Sequence, residues 1–207
     1  MRGNRSGASV VRSALDCKSW QQRLPTVDEA RPARCPCWGA ASCPVGEPLQ
    51  LHGHGTRERQ LRGPGDPDEP ATTIVITARR YRCVPCHAVI LVVPCEVLPG
   101  RLYSAAAIAF ALALWGLIGA AAAEVRQRIC PATILGYAAA ASWATLRRWA
   151  QAVARGELFP SATKPGSGSS LRRVAASAAA ALAARADPTT RGLSIERRAF
   201  LGAAHAG

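Results

Sequence analysis

"TTIVITARRYRCVPCHAVILVV", residues 72–93, decides how the first half of this chain folds. Residues 72–83 are rich in β-branched side chains, which suits a pleated strand. "AVILVV", residues 88–93, reads as a second, shorter strand. Between them sit Cys83 and Cys86, a C-x-x-C pair directly after the first strand. That spacing lets two thiolates point at one tetrahedral Zn(II) while backbone amides stabilise the sulfurs. A closed structural site needs two further ligands.

Upstream, "RPARCPCWGAASC", residues 31–43, offers them. A knuckle of the usual form reads Cys-Pro-x-Cys-Gly. Here Cys35-Pro36-Cys37-Trp38-Gly39 keeps the five-residue frame but moves the second thiol one place early. Cys35 leads the Cys-Pro turn and is expected to be the third ligand. Cys37 is expected to be the fourth, with Cys43 and His87 as competing candidates. The expected set is therefore Cys35, Cys37, Cys83 and Cys86 around a structural Zn(II), whose binding would contribute directly to folding. Cys17, Cys95 and Cys130 have no partner spacing and are expected to be buried or incidental. A further strand over residues 49–62 carries His52 and His54 on one face, read as surface or phosphate-contacting side chains. Residues 63–70, "GPGDPDEP", form a loop by composition. Three strands with cysteine clusters at the turns give a zinc-ribbon-like module over residues 31–99. It follows a flexible basic arm, residues 1–30, in which Trp20 and Leu24 pack locally.

The two halves of the chain differ in charge. Of 207 residues, 1–100 hold 13 basic and 9 acidic side chains, and 101–207 hold 13 basic and 4 acidic, in a total net charge of +13. So large a basic excess points to nucleic acid or an anionic membrane as a partner. Seven of the eight cysteines precede residue 100. No secretory leader is visible, because the first thirty residues are basic and polar. A reducing, cytoplasmic setting is expected, where clustered cysteines more often bind metal than form disulfides.

From residue 100 the chain reads as an Ala-rich helical bundle: residues 100–156, a linker 157–170, and C-terminal helices within 171–207. "SWATLRRWAQAV", residues 142–153, has the pattern of a helix-turn-helix recognition helix. Trp143, Leu146, Trp149, Ala150 and Val153 fall on one face. Ala144, Thr145, Arg147, Arg148 and Gln151 fall on the other. Thr145, Arg147, Arg148 and Gln151 are the candidate DNA contacts, since small residues allow close approach to the major groove and Arg reaches guanine edges or phosphates. "ATILGYAAAA", residues 132–141, would be the first helix of that motif. The rival concerns residues 102–123, which are 22 residues without a charge, long enough to span a bilayer. Half of residues 104–123 are Ala, which inserts weakly, so a buried core helix is the preferred reading and a membrane partner the lesser one.

The strings "RPARCPCWGAAS", "LHGHGTRERQ", "ARRYRCVPCHAVI" and "VLPGRLYS", with Thr145-Leu146-Arg147-Arg148-Trp149, resemble a bacterial family. They look like the uncharacterised zinc-ribbon domains of insertion-sequence transposases and transposase-associated proteins, followed by a helix-turn-helix. The resemblance covers about residues 31–153. It implies an α+β fold, structural zinc, DNA as a partner and a transposase as a further one. The chain departs from the pattern at Trp38, where the family has its second Cys, and at His87, where it has Gly.

The function expected is a non-catalytic DNA-binding protein related to transposase machinery. The alternatives are a single-span membrane-anchored protein with a Cys-rich cytosolic domain and a degenerate insertion-sequence remnant. An enzyme is not expected. Two-metal recombination needs three placed carboxylates, whereas Glu124, Glu157, Asp187 and Glu196 are scattered. No phosphate-binding Gly loop or Ser-His-Asp set is present.

Overall fold

The computed structural model describes residues 9–132, 143–162 and 169–203. The fold is mixed α+β, with a four-stranded sheet and six α-helices among the described residues. The chain forms two compact units: Met1–Gln60 with Val75–Pro99, and Leu61–Ile74 with Gly100–Gly207. Two long strands, β2 (Leu51–Gly63) and β3 (Thr72–Cys83), each contribute residues to both.

The sheet order is β1-β4-β3-β2, where β1 is Ser9–Arg12 and β4 is Val89–Val93. The expectation of three strands is corrected to four. The extra strand comes from the segment read as a loose arm: β1 runs parallel to β4, with Ser9 opposite Ile90 and Arg12 opposite Val93. The reason lies in β4. Four of its five residues are buried, an apolar run without alternation that suits a strand covered on both faces. β3 pairs with one edge of β4, antiparallel, and β1 covers the other.

The segment after β1 is also ordered. Asp16 caps helix α1 (Cys17–Gln22) by accepting from the Ser19 N–H at 2.7 Å. Trp20 on α1 is buried, and its indole N–H donates to the Thr77 carbonyl at 2.9 Å. Tyr81 donates its hydroxyl to the Val27 carbonyl at 2.6 Å, and Arg79 donates to the Pro25 carbonyl at 2.7 Å. These contacts fasten residues 17–31 to the sheet.

In the second unit, residues 102–123 are not one long helix. α2 is Ala105–Ala113, with all nine residues buried. It starts at Ser104, whose hydroxyl accepts from the Ala107 N–H. A π-helical turn, Leu114–Ile118, follows, and Gly119 ends it in the left-handed region at φ 84°. α3 (Ala122–Ile129) then starts afresh. Arg172 holds this break: its guanidinium lies 5.4 Å from the Trp115 ring centre and donates to the Gly119 carbonyl. No helix among the described residues is long and apolar enough to cross a membrane.

Helices α4 (Ala144–Ala154), α5 (Leu171–Ala183) and α6 (Ile195–Ala203) complete the unit. Small residues let them approach closely. A Cβ at Gly202 would collide with the Leu182 carbonyl, and one at Gly116 with the Ala176 backbone. Phe110 of α2 meets Phe200 of α6 edge-on at 5.9 Å. Leu158 and Phe159, expected at the start of a linker, are buried.

Candidate functional site

Two knuckles build the cysteine cluster. The first stands between paired backbone segments: Arg34 bridges Ala41, and Ser42 N–H donates to the Ala33 carbonyl at 2.9 Å. The second stands between β3 and β4, where Arg82 pairs with Val89. The hydrogen bonds inside the two are the same. The N–H of Cys35 donates to the Ala40 carbonyl at 2.9 Å, and that of Cys83 to the Ala88 carbonyl at 3.0 Å. The carbonyl of Cys35 accepts from Gly39 N–H at 2.7 Å, and that of Cys83 from His87 N–H at 3.0 Å. Gly39 at φ 78° and His87 at φ 58° both take the left-handed conformation this turn demands. Glycine adopts it freely and histidine at a cost.

Three of the four expected ligands come together. The Sγ atoms of Cys35, Cys83 and Cys86 all lie within 4.8 Å of one another, and those of Cys35 and Cys86 are 3.6 Å apart. Four thiolates at a zinc–sulfur distance of about 2.3 Å place their sulfurs about 3.8 Å apart, so the set fits such an ion. Cys35 and Cys83 are buried and Cys86 half-buried. Burial pushes the Cys83 thiol up to about 12, the Cys86 N–H opposes this, and the Cys86 and Cys35 side chains reinforce it. A bound dication inverts that balance by displacing the thiol protons.

Cys37, the expected fourth ligand, lies outside this group of three. It is exposed, and its Sγ lies 3.1 Å from the Ser9 hydroxyl. The knuckle does not tighten around it, because the frame is the ordinary one and Cys37 occupies an intermediate position of the turn. Cys43 and His87 are exposed and also lie outside the cluster. Cys17 and Cys95 are buried and Cys130 half-buried. Burial, then a hydrogen bond with Glu96, holds the Cys17 thiol protonated. His52 and His54 are exposed on β2.

The second candidate site is the outer face of α4. Leu146, Trp149, Ala150 and Val153 are buried, as is Trp143 just before the helix. Tyr103, Trp143 and Trp149 pack edge-on, with ring centres 5.0–6.0 Å apart. Arg147, Arg148 and Gln151 are exposed and Thr145 half-buried. The two faces fall as the helical spacing predicts. The expected first helix of the motif, residues 132–141, lies outside the described residues apart from Ala132.

Several other arginines of this unit are engaged. Arg128 donates to the Pro67 carbonyl and lies over Phe110, while Arg185 donates to the Ser161 carbonyl and Arg198 to that of Ala183. Arg155 pairs with Glu157, and Arg197 with Asp68. Arg147 and Arg148 make no hydrogen bond, ion pair or ring contact among the described residues. This contrast was not visible in the sequence, where all arginines count alike.

No family model matches the chain, and no curated protein or solved structure matches it either.

Proposed function

We propose that this chain is a non-catalytic DNA-binding protein related to transposition machinery. In this reading a zinc-stapled, ribbon-like β module accompanies a helix-turn-helix whose recognition helix is α4. The observation that carries it is the outer face of α4. Two arginines stand exposed there, without partners among the described residues, on a helix anchored from behind by Trp143 and Trp149. A guanidinium held this way is available to phosphate or to a guanine edge. The net charge of +13 supplies the long-range attraction.

The test is the salt dependence of duplex binding. Each phosphate contact contributes about −0.9 to the slope of log K against log salt. Replacing Arg147 and Arg148 together with Ala is expected to weaken binding and flatten the slope by about 2. Binding unaltered by the double substitution, or indifferent to salt, refutes the assignment to α4. A transposase is the further partner this reading proposes.

A second reading, a degenerate insertion-sequence remnant, is favoured by one observation: Trp38 stands in a knuckle whose backbone is otherwise regular. It predicts sub-stoichiometric zinc and DNA binding without sequence preference.

A further inference from the structure

The two knuckles can be aligned residue by residue through their hydrogen bonds. Cys35 matches Cys83, Gly39 matches His87 and Ala40 matches Ala88. The alignment leaves no freedom between: Pro36 matches Val84, Cys37 matches Pro85, and Trp38 matches Cys86. Cys86 brings its sulfur to 3.6 Å from that of Cys35. The corresponding residue of the first knuckle carries an indole, and Trp38 is 58% exposed, so it does not fill the cluster from that side. Among the described residues no other Cys, His, Asp or Glu joins the three sulfurs. In the rest of the chain, 1–8, 133–142, 163–168 and 204–207, only His205 has a ligating side chain of those types.

From this geometry we infer that the metal centre has three protein thiolates, from Cys35, Cys83 and Cys86, and a fourth position filled from outside the chain by an exchangeable neutral donor. The inference rests on the reading of this cluster as a metal site and is independent of DNA binding. Three protein ligands plus one solvent or substrate ligand is the arrangement of open zinc sites, whereas closed structural sites carry four. Charge selects the outside donor. Zn(II) with three thiolates already has a net charge of −1, so water or an imidazole adds no repulsion and a fourth thiolate does.

Co(II) titrated into the reduced, metal-free full-length protein tests this, read by visible and near-ultraviolet absorption with and without added imidazole. The wild type is expected to take up one Co(II), and its ligand-field bands are expected to shift when imidazole is added. Cys37→Ser is expected to behave as the wild type. Trp38→Cys is expected to gain about a third in thiolate-to-cobalt charge-transfer intensity, from three sulfurs to four, and to stop responding to imidazole. The imidazole response of the wild type stands as a test even if Trp38→Cys fails to fold. Wild-type bands indifferent to imidazole, with intensity lost in Cys37→Ser or a changed band pattern in His205→Ala, overturn the inference but leave the metal reading in place. No uptake of Co(II) by the wild type overturns both.

Discussion

Cys35 and Cys83 each open a turn whose backbone is set by two hydrogen bonds and one left-handed residue. The consequence at this scale is selectivity among eight cysteines. Replacing Cys83 with Ser is expected to abolish zinc retention and to lower the stability of the β unit by several kcal/mol, because apparent zinc free energies in small domains reach about 10–16 kcal/mol. Cys43→Ser, which alters an exposed thiol outside the cluster, is expected to change zinc content by nothing measurable. Zinc assay beside urea denaturation checks both. His87→Gly is expected to stabilise the second knuckle by about 1 kcal/mol, since it relieves a side chain held at positive φ. Cys83, Cys86 and Cys35 were legible in the sequence from the C-x-x-C pair and the Cys-Pro turn. The failure of Cys37 to join them was not. Two thiols two residues apart look equivalent until the hydrogen bonds from Cys35 fix which position of the turn faces the cluster.

At the scale of the element, β3, β4 and the two faces of α4 followed from periodicity and β-branched content, because those signals are local. β1 did not. Ser9–Arg12 is four residues long, and what makes it a strand is the free edge of β4, about eighty residues away in sequence. Residues 102–123 misled in the opposite sense. Uniform apolarity predicts one helix, but uniformity hides the break at Gly119 and the reason for Gly116, which is contact with the α5 backbone at Ala176. Gly202 makes a similar close approach to α5. Gly202→Val forces a side chain against the Leu182 carbonyl of α5 and is expected to destabilise the helical unit by about 1–3 kcal/mol, seen as a lower urea midpoint with an unchanged slope. Leu201→Ala, one residue away and 36% exposed, is expected to cost far less.

For the whole molecule, order α+β and a division between Cys-rich and Ala-rich halves were readable from composition. The trading of residues 61–74 into the helical unit was not, since β2 and β3 are continuous strands whose ends belong to different cores. The metal site proposed in the first unit and the separate buried apolar core of the helical unit make a separable prediction. Chelation is expected to remove near-ultraviolet signal from Trp20 and Tyr81 in the first unit while most helical far-ultraviolet ellipticity persists. Loss of both together would show that the units do not unfold separately. The most direct test of the account is the native mass of the intact chain purified in the presence of zinc. One zinc per chain, kept in Cys37→Ser and lost in Cys35→Ser, Cys83→Ser and Cys86→Ser, is the result predicted. A wild-type chain without zinc, or one that loses it with Cys37, would contradict the account.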